Sequence, residues 1–184
     1  MSRLASKPII INSGTSCNLE DGNIKISRSG KIVNFPFNKN LIDFKIEGHS
    51  ALLSRSKENK TPVELNGLLG TTWALFKMAL RDIENPYKAK LNFVGVGYKA
   101  SVVKAGKFNY LKLTLGFSHP IFVFIPEGLN ITQDKETIIV AGDNTESVMR
   151  FCAMVRSQKK PTVYHGTGVI MNDDIIIKKA GKKK

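Results

Sequence analysis

The sequence predicts an α+β protein, a tandem duplication of a small antiparallel sheet packed by one helix. Two segments have the 3.6-residue apolar period of amphipathic helices, and most of the remainder alternates like half-buried strands separated by turn residues. The third observation is a repeat. "LIDFKIEGHSALLSRSKENKTPVE", from Leu41, reads strand, turn, strand, polar loop, capped helix; "LNITQDKETIIVAGDNTE", from Leu129, has the same order with a shorter final loop. The two starts lie 88 positions apart, about half of the 184-residue chain.

The first alternating segments are 23–29 ("NIKISRS") and 41–48 ("LIDFKIEG"), with turn signals at Asp21-Gly22 and Ser29-Gly30. Gly48-His49-Ser50 reads as a hairpin turn. The first helix has Thr61 as N-cap, Pro62 at its first position and Glu64 closing a capping box. Leu65, Leu68, Leu69, Thr72, Phe76, Ala79, Leu80 and Ile83 fall on one face, and Pro86 ends it. Strands are expected again at 110–117 and 137–142, with turns at Ala105-Gly106 and Glu127-Gly128. The second helix is expected to start from Asp143 as cap with Glu146 three residues on; Val148, Phe151, Cys152 and Val155 form its stripe, and Pro161 closes the region. A sheet with one apolar face and a single helix needs that helix for its core, so both stripes are assigned to packing. The expected division is 1–86 for the first repeat, 87–161 for the second, and 162–184 for a C-terminal extension of the second.

Composition narrows the function. With 42% hydrophobic residues the chain is too apolar to be a disordered tail. No apolar run approaches the ~20 residues of a membrane span, and "MSRLASKPIIINSG" lacks a long signal-type apolar run. A soluble, uncleaved protein is expected. Cys17 and Cys152 stand far apart, as buried small hydrophobes of a reducing compartment do. The charge is the informative quantity: 28 Lys and Arg against 15 Asp and Glu, a formal +13. A polyanion partner follows, nucleic acid ahead of a membrane surface. Arg150 to Lys184 alone holds nine basic residues against Asp173 and Asp174, so the excess gathers at the C-terminus.

"LNFVGVGYKA", 91–100, is a strand running into Gly95-x-Gly97-x-x-Ala100, the form of a dinucleotide fingerprint. That chemistry needs a helix beginning at the third small residue and a carboxylate about 20 positions on. Neither is present: "SVVKAGKFNYLKLTL" continues as strand and hairpin, and the next carboxylate is Glu127. Gly95 and Gly97 are therefore expected to permit a bulge or close approach in a long bent strand. His49, His119 and His165 have no partner at catalytic or metal-ligand spacing, so no catalytic residue, metal, cofactor or small-molecule substrate is assigned.

The segment from Arg156, "RSQKKPTVYHGTGVIMNDDIIIKKAGKKK", differs in kind. Lys159 and Lys160 leave the helix, and Tyr164 and His165 enter a Gly166-Thr167-Gly168 loop expected to set flat rings beside exposed backbone N–H groups. Short strands are expected next, and Lys178, Lys179, Lys182, Lys183 and Lys184 end the chain. Cations contact phosphates and ring faces stack on unpaired bases, so RNA binding is the leading reading.

These residues resemble the L-six family of large-subunit ribosomal proteins in its bacterial and organellar form. The match runs nearly end to end through "MSRLASKPI", "LNFVGVGYKA", "LTLGFSHPI", "IPEGL" and "KKPTVYHGTGV". The resemblance implies two copies of one α+β unit and no enzymatic activity. It further implies binding to large-subunit rRNA near the stalk base and the translation-factor site, mainly through the second domain, beside neighbouring ribosomal proteins. The family's C-terminal RNA-binding motif falls on Lys160, Pro161, Tyr164, Gly166 and Gly168; His165 and Thr167 stand where the family usually has lysines. The segment 104–113 looks more like mitochondrial members, and abundant Asn, Ile and Lys suit AT-rich coding. A mitochondrial ribosome is the expected location, a bacterial cytoplasm the alternative. A free RNA-binding chaperone and a nucleotide-binding enzyme using Gly95 and Gly97 are the competing functions.

Overall fold

The computed structural model describes residues 7–20, 22–56, 64–134, 137–172 and 174–181. The chain divides into two compact units, Met1–Asn85 and Pro86–Lys184. The predicted caps Thr61 and Pro62, the Asp21 of one turn signal and Lys182, Lys183 and Lys184 lie outside the described residues.

In the first unit, β1 (Ile9–Ile10), β6 (Ser50–Arg55) and β5 (Ile42–Glu47) form one antiparallel sheet in the order β1-β6-β5. A second sheet runs β2-β3-β4 through Ser16–Glu20, Asn23–Arg28 and Lys31–Pro36. Helix α1 (Glu64–Glu84) covers the core. Its stripe is met at Leu69, Thr72, Phe76, Leu80 and Ile83, which are buried, while Leu68 lies at the exposed edge. Phe76 stands edge-on to Phe35 and Phe44, at ring centroid distances of 5.5 Å and 5.4 Å. The helix ends where the Asn85 N–H donates to the Arg81 carbonyl (3.0 Å), since Pro86 has no N–H to continue it.

The second unit repeats this order. β7 (Tyr87–Val94), β12 (Thr137–Gly142) and β11 (Leu129–Gln133) pair as β11-β12-β7, the counterparts of β5-β6-β1. β8 (Lys99–Ala105), β9 (Phe108–Thr114) and β10 (Ile121–Ile125) form the second sheet. Helix α2 (Thr145–Gln158) buries Val148, Phe151, Cys152 and Val155, the full predicted stripe. Its cap is Asn144, one residue later than the predicted Asp143; the Asn144 side chain accepts the Glu146 N–H at 2.9 Å. Among the described residues one element has no counterpart in the first unit: β13 (Gly168–Met171) adds to the other edge of β7.

The predicted bent strand at Gly95 and Gly97 is corrected. β7 stops at Val94, and the chain turns before β8 departs into another sheet. The Tyr98 N–H donates to the Gly95 carbonyl at 3.3 Å, and Gly97 adopts φ +76°, where only glycine is unstrained. A Cβ on Gly95 would lie 2.8 Å from the Tyr98 ring, so this position must be small for the ring to fold back.

Candidate nucleic-acid interface

The C-terminal cluster is built at the end of α2. Lys159 leaves the helix in a non-helical conformation, and its ammonium sits 4.5 Å above the Phe117 ring centroid. That cation–π contact fixes where the charge stands. The chain then passes Lys160 and Pro161 and folds into a closed loop. The Gly166 N–H donates to the Thr162 carbonyl (2.8 Å), the Thr162 N–H donates to the Thr167 carbonyl (3.0 Å), and the two threonine hydroxyls meet at 3.1 Å. The Val169 N–H donates to the Lys159 carbonyl (2.9 Å), tying the start of β13 to the helix end.

Both glycines of this loop are buried. Gly168 has φ +152°, and a Cβ there would lie 2.5 Å from the Pro161 Cα, a collision with backbone that no rotamer relieves. A Cβ on Gly166, at φ +73°, would meet the Lys178 side chain at 2.9 Å. The segment 174–181 returns across the loop without regular secondary structure. Its fastenings are the Lys179 N–H donating to the Val163 carbonyl (3.0 Å) and an ion pair between Asp174 and Arg156 (2.9 Å). Lys160, Tyr164, His165, Lys178 and Lys179 are all left exposed around the loop, Tyr164 by 61%. Residues far apart in sequence are thereby gathered into one cluster of charge and ring.

Three expectations change. The loop N–H groups of Gly166 and Thr162, expected to be exposed, bond within the loop instead. The strands expected after Gly168 reduce to β13, because "IIIKK" finds no partner edge and leaves Ile175 and Ile177 exposed. Arg156 fastens the returning segment through Asp174, and the Thr167 hydroxyl is engaged by Thr162; of the two positions that depart from the lysine pattern, His165 is exposed and Thr167 half-buried.

Phe117 and Asp174 were not singled out by sequence. Nothing local links 117 to 159 or 156 to 174; each pairing exists only once β9, α2 and β13 are packed. An acidic residue within a basic tail was the one signal available for Asp174.

No helix begins at Ala100, where a pyrophosphate would need one; β8 runs through it. Burial raises the Cys152 thiol to about 11 and shifts Cys17 the same way, so neither is poised as a nucleophile. Both cysteines are free. Among the described residues no His, Cys, Asp and Glu cluster could hold a metal, and no helix is long and apolar enough to cross a membrane. In the first unit, a cleft of about 630 Å³ between β1 and α1 contains Glu84, whose carboxylate is taken by Arg28 (2.5 Å) and Asn12 (2.6 Å).

The family model described as Ribosomal protein L6 matches residues 94–171, from the Gly95 turn to the end of β13. The chain is 36% identical over 182 residues to the large ribosomal subunit protein uL6 of a Nitratiruptor species, covering 99% of this chain and 98% of that one. The protein of the same name from Malacoplasma penetrans is 34% identical over 183 residues, covering 99% and 96%. That of Campylobacter jejuni is 35% identical over 182 residues, covering 99% and 98%. Identity of this level across the whole of both chains is family membership: the chain belongs to the ribosomal protein L6 family, whose members are structural components of the ribosome and not enzymes.

Proposed function

We propose that this ribosomal constituent binds large-subunit rRNA mainly through its second unit, near the stalk base and the translation-factor site. The observation that carries the reading is the cluster at the end of α2. Lys159, Lys160, Lys178 and Lys179 surround a glycine-shaped loop that presents Tyr164 and His165. Lysines neutralise phosphates and position the protein, while an exposed ring and imidazole contact sugar and base. Lys182, Lys183 and Lys184 extend the same charge, and Arg156 acts from beneath by holding the returning segment. The first unit supports this placement or meets neighbouring ribosomal proteins.

Sedimentation of the tagged protein from its source cell, through a sucrose gradient in high salt, tests the reading. Co-migration with the large subunit is expected; a protein found only at the top of a low-salt gradient would sink it. A protein that washes off entirely in high salt is a peripheral or free RNA binder, because phosphate contacts alone weaken steeply with salt. The double variant Lys160→Ala, Lys178→Ala should bind large-subunit rRNA more weakly and lower the slope of log affinity against log salt by about 1.4–1.8, roughly 0.7–0.9 for each phosphate no longer neutralised. An unchanged slope would remove these lysines from the interface. The ribosome meant is a mitochondrial one, on the character of 104–113 and the Asn, Ile and Lys content. The named relatives are bacterial, which suits the alternative of a bacterial cytoplasm, and fractionating the source cell separates the two.

A further inference from the structure

We propose that the outer face of the β8-β9-β10 sheet is a second RNA contact, one that stacks unpaired bases. The inner face of this sheet belongs to the core through Ala100, Leu111, Leu113, Val123 and Ile125. Strand register puts Ser101, Lys112 and Phe122 side by side on the opposite face, with Val103, Tyr110 and Phe124 in the next row and Phe108 beyond. The three phenylalanines are 51%, 56% and 45% exposed at positions 108, 122 and 124. Phe124 lies edge-on to Phe108 (5.7 Å between centroids) and to Tyr110 (5.9 Å), which holds the rings in one cluster.

The first unit supplies an internal control. The corresponding face of β2-β3-β4 carries Ser16, Ser27 and Ile32 in one row and Asn18, Lys25 and Asn34 in the next. A sheet in this position therefore folds without outward-facing rings. Their presence in the second unit points to a partner.

The charge around the rings selects that partner. Residues 99–125, which form this sheet and its turns, hold no carboxylate and four lysines: Lys99, Lys104, Lys107 and Lys112. Lys112 stands on the aromatic face itself, between Ser101 and Phe122. The core of a protein–protein contact is depleted of lysine, whereas single-stranded nucleic acid is held by rings for the bases and cations for the backbone. Phe122 and Phe124, two residues apart on one strand, are set about 7 Å apart, so each can serve a separate base. The inference rests on the rRNA reading above and adds to it a separate surface and an unpaired target.

The test uses the full chain and fluorescein-labelled decaadenylate, followed by anisotropy across a salt series, with sedimentation of the same proteins measured alongside. The triple variant Phe108→Ser, Phe122→Ser, Phe124→Ser is expected to bind decaadenylate at least tenfold more weakly with the same salt slope, since no charge is removed. Phe122→Tyr with Phe124→Tyr keeps the rings and should bind within about twofold of the parent. The proposal is overturned if the parent shows no saturable binding, or if the serine variant binds as the parent does. A parent that co-sediments with the large subunit while the serine variant keeps decaadenylate binding would leave the rRNA reading standing and assign the face to a protein neighbour. A parent that fails to sediment with the subunit speaks against the rRNA reading alone.

Discussion

The two units share a pattern of six strands and one helix, and they differ where that pattern meets solvent. On the three-stranded sheet, the first unit turns Ser16, Asn18, Lys25 and Asn34 outward; the second turns out Phe108, Tyr110, Phe122 and Phe124. After the helix, the first unit stops at Asn85, whereas the second continues into a glycine loop, β13 and a returning basic segment. The cores differ only in kind of filling. The first interlocks Phe35, Phe44 and Phe76, and the second is mainly aliphatic around Phe151. Burial demands apolar volume from both copies and so keeps them alike; the surface is under no such demand.

The sharpest way to break the comparison is to remove one core. Phe151→Ala should destabilise the second unit by about 3–5 kcal/mol. Trp73, the sole tryptophan, lies in the first unit and packs on its core. Urea unfolding followed by its fluorescence should keep its midpoint, while circular dichroism shows an earlier loss. A shift of both together would show that the two cores fold as one.

The next largest effect belongs to the loop that follows α2 in the second unit. Gly168→Ala drives a methyl group into Pro161 and should destabilise the second unit by about 1–3 kcal/mol. It should also weaken rRNA binding, as read by filter retention. Gly67, with open space at its Cβ in α1 of the first unit, is the contrast: Gly67→Ala should stabilise by about 0.5–1 kcal/mol. Equal effects at the two glycines would deny the loop its special packing.

His165→Lys restores charge at an exposed position and should steepen the salt dependence of rRNA binding by about 1, with a modest gain in affinity. Thr167→Lys should do less, because it also breaks the hydroxyl contact with Thr162. If the double change leaves affinity and slope unaltered, the absent lysines have no consequence for binding.

The smallest effect is one of pH. Cys152 ionises near 9.0 in the unfolded chain and at about 11 when folded, because burial disfavours the thiolate. Between these values the unfolded chain gives up the proton first. The contribution is therefore fully present below pH 9 and is lost as pH rises toward 11. Compared with Cys152→Val, the parent should lose more urea resistance between pH 8 and pH 10.5; parallel losses would show that this thiol is not the cause.

Both helices and the duplication were legible because amphipathic period and strand alternation are local properties. Val148, Phe151, Cys152 and Val155 can be read on paper, and all four are buried. The Gly95 turn was misread, since a strand ending and a strand bending show the same alternation until the pairing partners are known. The lysines and the glycine loop were visible as a basic, ring-bearing segment. The aromatic sheet face was not, because Phe108, Phe122 and Phe124 become neighbours only through the register of β9 with β10.

What the sequence determined by itself is the α+β class, the twofold repeat, the helical stripes and the basic end, all consequences of spacing along the chain. Only the tertiary structure decided that β13 closes on β7, that Asp174 fastens to Arg156, and that Lys159 stands over Phe117. Each of these joins residues distant in sequence, and such pairings form only when burial of the core has brought the segments together.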